Sequence, residues 1–181
     1  GDWFHKSSTK ASSNYGIDRN GRVGLYVEEK NRSWCTSSNA NDQRAVTIEC
    51  ASDKAEPYAM HQVVYDRLID LCEDICRRNG KKKLLWFGDK NKSLNYQPKA
   101  DEMLITVHRW FANKSCPGDW LYARLGDLAA KVTSRLGSGN VEVIPSGMQA
   151  REFRNLTEAQ VVAKVGALFT ADQKKSGILA S

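Results

Sequence analysis

Met103-Leu-Ile-Thr-Val107-His108-Arg-Trp-Phe-Ala-Asn-Lys114-Ser-Cys116-Pro-Gly118 is the stretch that decides the fold of this chain. Its first five residues form an apolar, β-branched run without helical period, which reads as a buried strand. That strand delivers His108 at its C-terminal end, where ligands gather in α/β folds. His108, Lys114 and Cys116 then bring an imidazole, an ammonium and a thiol within nine residues. Neutral imidazole and thiolate together suit zinc. A lysine two residues from the thiol favours its ionised form and can stabilise negative charge on a bound carbonyl. A His and a Cys eight residues apart also occur by chance, so this spacing suggests a metal site without establishing one.

Working outward, Asp119 to Leu136 reads as a closing helix with Leu121, Leu125, Leu128 and Val132 on one side. Upstream, Pro57 opens a long amphipathic helix. Met60, Val63, Val64, Leu68, Leu71, Cys72 and Ile75 recur at helical spacing, and Asn79-Gly80 stops it. Leu84-Leu-Trp86-Phe87 is a strand or its approach, and Ala45-Val-Thr-Ile-Glu49-Cys-Ala reads as a buried strand. Two short strands, Ser12 to Ile17 and Val23 to Val27, flank the hairpin signal Asp18-Arg-Asn-Gly21. The class is α/β, with a mixed central sheet flanked by helices. Residues 137–155 form a linker of small and polar residues around Val141-Glu-Val-Ile144. Residues 156–181 form a helical tail, capped by Thr157, that reads as the start of a second, truncated domain.

The chain of 181 residues suits one ordinary domain plus an appendage, and 41% hydrophobic with 27% charged residues excludes disorder. A net charge of +6 implies attraction to anionic polymers: nucleic acid, anionic membrane or the acidic wall polymers of bacteria. No basic helix, zinc-finger spacing or RNA-binding motif supports nucleic acid. No run of 18 apolar residues suggests a membrane span, and no signal peptide is visible at Gly1. The five cysteines, Cys35, Cys50, Cys72, Cys76 and Cys116, form no disulfide framework and read as free thiols. A monomer is expected.

Four separated motifs carry a resemblance: Ser12-Ser-Asn-Tyr15-Gly-Ile, Arg32-Ser-Trp34, Ala45-Val-Thr-Ile-Glu49 and His108…Lys114-Ser-Cys116-Pro-Gly. In this order they resemble the zinc-dependent N-acetylmuramoyl-L-alanine amidases of the peptidoglycan-recognition-protein fold, the type found in phage endolysins and bacterial autolysins. The resemblance covers residues 1–136, and the tail from 156 is similar to the opening of a glucosaminidase domain. It implies a peptidoglycan hydrolase using Zn2+ at the bacterial cell wall. His108 and Cys116 match two of three protein zinc ligands, and Lys114 matches the basic residue facing the scissile carbonyl. Tyr15 matches a tyrosine near the zinc-bound water, or is a half-buried hairpin aromatic. Glu49 stands where one branch of the family has a catalytic glutamate, or serves only a supporting hydrogen bond. Trp34 lines the substrate cleft or packs beneath it.

One departure stands out. The family's first ligand is a histidine on a strand ahead of all these motifs, and the only upstream histidine here is His5, which aligns better with the following helix. His61 falls in the long helix as a surface or core histidine. The chain is therefore expected to lack one core strand and one zinc ligand, which weakens metal binding and exposes a central strand edge. A non-catalytic wall-binding module on the same fold is the alternative.

Overall fold

Asp18 closes the first turn. Its Oδ1 accepts from the amides of Asn20 and Arg22, each at 2.9 Å, while Gly21, at φ +77°, supplies the left-handed residue. This turn folds β2 (Val23–Leu25) antiparallel onto β1 (Tyr15–Ile17), and β3 (Ile48–Cys50) pairs with the other edge of β1 in parallel. A second sheet pairs β4 (Lys83–Leu85) with β5 (Glu102–Leu104), also in parallel. A computed structural model of the chain describes residues 10–137. His5 and the linker and tail expected beyond residue 137 lie outside the described residues.

The α/β architecture is the expected one, but the strands form two sheets, ordered β2-β1-β3 and β4-β5. Helices α2 (Gln62–Arg78) and α5 (Leu125–Gly137) pack against each other; α2 also meets β1, and α5 meets β4. Val64, Leu68, Leu71 and Ile75 recur on one side of α2 and are all buried, joined from α5 by Leu128 and Val132 and from β4 by Leu84. Truncating Leu128, which is 2% exposed, costs about 3 kcal/mol by the usual cavity penalty.

The strands are shorter than the sequence reading had them, and the helices differ from it in three respects. The long helix starts at Gln62 rather than Pro57, because Tyr58 takes φ +56°, a conformation no α-helix admits. His61 is thereby its exposed N-cap and not an interior residue. The closing helix is split into α4 (Asp119–Tyr122) and α5. Arg124 stabilises the break: its guanidinium lies 4.0 Å from the Trp120 ring centroid and donates to the Trp120 carbonyl, which the helix end leaves open. Two short helices, α1 (Asn39–Asp42) and α3 (Lys90–Asn95), carried no apolar period; each is capped by the side chain before it, Ser38 and Asp89.

A buried polar network holds the segment between β2 and β3. Asn14 and Thr47 exchange bonds, amide to Oγ1 and amide to Oδ1, each at 3.0 Å, and Ser33 Oγ lies 2.7 Å from Thr47 Oγ1. The Asn14 Nδ2 group reaches the carbonyls of Val27, Glu28 and Asn31. Asn14 and Ser33 are wholly buried, so each lost partner carries a full desolvation penalty. Asn14→Ala is expected to destabilise the fold by about 3 kcal/mol, read as a lower urea midpoint at unchanged slope.

Candidate active site

The segment after β5 stays extended to Val107 and then turns once through a 3₁₀ helix, His108–Trp110. Trp110 fixes that turn: it is buried and stacks on Trp86, ring centroids 5.0 Å apart at 2°. His108 is left facing a cleft, its Nε2 3.3 Å from Ser37 Oγ. Ser37 stands at φ +62° in a loop anchored by the buried Asp42 carboxylate, which accepts from the Thr36 amide and hydroxyl. Thr106 Oγ1 donates to Asn41 Oδ1 at 3.0 Å, joining this loop to the extended segment that leads from β5 to His108.

The loop bearing Lys114 and Cys116 is clamped by Arg109. The Arg109 amide donates to the Cys116 carbonyl at 3.0 Å, its guanidinium donates to the Ser115 carbonyl, and its Nη1 pairs with Asp119 at 2.8 Å. At the loop's end Gly118 takes φ +81°, and a Cβ there would lie 2.7 Å from Tyr58 Cβ, so only glycine lets Cys116-Pro117 settle against the 57–58 turn. Cys116 and Lys114 are exposed and face the same cleft as His108.

Glu49, on β3, completes the arrangement. Its carboxylate opens to the cleft and accepts a hydrogen bond from Cys35 Sγ at 3.5 Å. The protein around it disfavours the charged form and raises its pKa; the Cys35 bond and the His108 charge oppose the rise. Surrounding protein and the Glu49 charge likewise push the Cys116 thiol up, with Lys114 and Arg109 only partly countering. The neighbouring lysine therefore does not leave Cys116 a ready thiolate, as its spacing suggested. Cys35, hemmed in beside Glu49, is pushed up as well.

The cleft has a volume of about 1080 Å³, and Lys10, Arg19, Arg32 and Lys114 line it together with the carboxylates of Asp18, Asp42 and Glu49, a rim of mixed charge. Trp34 is 56% exposed on its wall, with the Arg32 guanidinium 4.7 Å from the ring centroid. This answers the choice left by the sequence: Trp34 faces the cleft. The structure does not bring Tyr15 into it. The Tyr15 hydroxyl donates to Glu29 Oε1 at 2.7 Å, and Arg78 binds the same oxygen, also at 2.7 Å. Strand alternation explains the difference, since Gly16 rather than Tyr15 pairs with Glu49 in the register. Ser37, Arg109 and Arg32 were missed as site residues. Serine in a polar loop carries no pattern, and Arg109 acts through backbone contacts that sequence does not display.

Among the described residues, no three His, Cys, Asp or Glu side chains are grouped so as to hold a metal ion by themselves. The structure brings together His108, Cys116, Glu49 and Lys114 around one cleft, with Trp34 on its wall. Residues 2–119 match the protein family described as N-acetylmuramoyl-L-alanine amidase. No curated protein and no solved structure gives a match to this chain.

The Glu29 anchor yields a pH-dependent prediction. The hydrogen bond from Arg78 leads in holding the Glu29 carboxyl below its ordinary value. A depressed carboxyl contributes stability that is fully present above the unfolded value and lost as pH falls through the folded one. Glu29→Gln should therefore cost about 1 kcal/mol at neutral pH, with the difference from the parent closing in acid, as followed by urea unfolding over a pH series.

Proposed function

The chain belongs to the N-acetylmuramoyl-L-alanine amidase family, and from that membership we propose that its cleft hydrolyses the amide between N-acetylmuramic acid and L-alanine in bacterial peptidoglycan, with zinc as cofactor. The observation that carries this reading is the convergence of His108, Cys116, Glu49 and Lys114 on one cleft from two separate strands and a loop. The donor chemistry suits zinc: an imidazole nitrogen and a sulfur, both reachable from solvent. His108 and Cys116 would hold the ion, and Cys116 would release its proton on binding. When bound, zinc supplies Lewis acidity toward the scissile carbonyl and makes its water a nucleophile near neutral pH.

The chain's own residues divide the remaining work. Lys10, Arg32 and Lys114 on the mixed rim offer cations to the anionic glycopeptide, and Trp34 with Arg32 gives it a flat apolar and cationic wall. Glu49, whose carboxyl the surrounding protein pushes above its ordinary range, takes the proton of the attacking water and delivers it to the departing alanine nitrogen. Lys114 holds its ammonium toward the oxygen on which negative charge develops. Arg109 acts through position alone, fixing the loop that presents Lys114 and Cys116. Tyr15 anchors β1 to the end of α2 and takes no part in the chemistry. Action at the bacterial wall follows from the substrate, and a monomer suffices for every role named. The segment from 156 fits the start of a second wall-hydrolase domain.

A second reading is favoured by one observation, the absence of a three-donor group among the described residues. On that reading the cleft binds muropeptides without cutting them. Zinc-loaded chain incubated with purified walls distinguishes the two, with new alanine N-termini on released peptides as the readout. Chelator-sensitive release is expected of the hydrolase; retention on walls with no new termini, indifferent to chelator, supports the binding module and overturns hydrolysis.

Substitutions separate the roles. With cobalt in place of zinc, Cys116→Ser should remove the sulfur-to-metal charge-transfer absorption; an unchanged spectrum would take Cys116 out of the metal site. Lys114→Ala should lower kcat about 10²–10³-fold while leaving that spectrum intact. The rate should rise as pH climbs through the raised Glu49 value, and Glu49→Gln should flatten that limb of the profile.

A further inference from the structure

Ser37 is held in a backbone conformation that its own side chain disfavours. Its φ of +62° lies in the left-handed region, which residues other than glycine, asparagine and aspartate rarely enter. Such an outlier persists only where the surrounding structure imposes it, and it points to function. The imposing contacts are explicit. Thr36, directly before it, is 7% exposed, and its amide and hydroxyl both donate to the Asp42 carboxylate, itself 2% exposed. Ser38, directly after it, caps α1 by accepting from the Asn41 amide. Ser37 is pinned on both sides, and its hydroxyl is the group it presents to the cleft.

That hydroxyl meets His108. Ser37 Oγ lies 3.3 Å from His108 Nε2, and among the described residues the ring has no other hydrogen-bond partner. A second link sets the spacing of the two. The Asn41 Nδ2 group donates to Thr36 Oγ1 at 3.2 Å, and Asn41 Oδ1 accepts from Thr106 Oγ1 at 3.0 Å. One amide side chain thus ties the residue before Ser37 to a residue two before His108. Beyond His108, the buried Trp110 stacked on Trp86 fixes the turn. The backbone on either side of the contact is therefore set, and the serine governs the ring.

A neutral imidazole carries one proton and one lone pair, on different nitrogens. The nitrogen that gives its proton to a neighbour cannot bind a metal ion, whereas the other can. We propose that Ser37 is a positioning residue whose Oγ accepts the proton on His108 Nε2, fixes the ring's rotation and reserves Nδ1 for the metal ion. A partner on the far nitrogen sets the tautomer of a metal-binding histidine and strengthens it as a ligand. Here that partner is a hydroxyl on a strained loop. The ring's orientation stands on the geometry alone; the use of Nδ1 rests on the zinc reading given above.

Nitrogen NMR of the metal-free chain, labelled at histidine, tests the orientation. In mildly alkaline buffer His108 should carry its proton on Nε2, exchanging at least about tenfold more slowly than in Ser37→Gly. A proton on Nδ1, or equal exchange in the two proteins, overturns the proposal. Glycine accepts the left-handed backbone and removes only the hydroxyl, so the urea midpoint of this variant should hold. Titration with an NMR-active cadmium isotope tests the choice of nitrogen. The parent should show cadmium coupling at Nδ1 with Nε2 still protonated, and Ser37→Gly should bind cadmium about 10–100-fold more weakly. A merely structural role would lower midpoint and affinity together. Coupling at Nε2, or equal affinity in the two proteins, overturns the role of Ser37. A chain that takes up no cadmium overturns the zinc reading and the use of Nδ1 with it, and the metal-free measurement alone then decides the orientation.

Discussion

Among the described residues the two sheets are joined through helices instead of strand pairing, and the cleft depends on that contact. Helix α2 packs on the β1 side and α5 on β4, and the two helices pack on each other, so their contact sets how far Glu49 on β3 stands from His108 beyond β5. Hydrophobic contact is nondirectional and tolerates sliding, whereas a hydrogen-bonded ladder fixes register. The side chains proposed for the chemistry thus face one another across a seam that, among the described residues, no strand pairing spans.

Around that seam the structure invests in polar fixation. Asn14 and Thr47 lock β1 to β3 and gather the loop carrying Trp34; Asp42 and Asn41 hold Ser37 against His108; Arg109 holds the loop of Lys114 and Cys116. Each device uses a hydrogen bond to backbone or to a buried side chain, the kind of contact that resists displacement because leaving it unmade is costly. Glu49, Lys114 and Cys116, by contrast, are left exposed at the cleft.

Much of this was legible in the sequence. The β-branched run 103–107 identified β5, although its pairing ends at Leu104 and His108 opens a 3₁₀ turn beyond it, and the period of Val64, Leu68, Leu71 and Ile75 identified α2, because burial on one face leaves a spacing visible in sequence. Its start was misread at Pro57 because the left-handed Tyr58 carries no sequence signal. The split at Arg124 was hidden because Leu121, Leu125 and Leu128 keep a helical period across it. Tyr15 could not be placed from its motif, since adjacent residues on a strand point to opposite faces.

By itself the sequence determined the α/β class, the long helix and the main strands, since local periodicity expresses these, and its four separated motifs carried the resemblance to the family. Only the tertiary structure decided that Trp34 faces the cleft, that Tyr15 is bound to Glu29, that burial and Glu49 raise the Cys116 thiol, and that the strands of the described residues form two sheets. Those outcomes depend on which way side chains and backbone groups point, and on how much protein surrounds them. Residues distant along the chain fix both only once they have packed together.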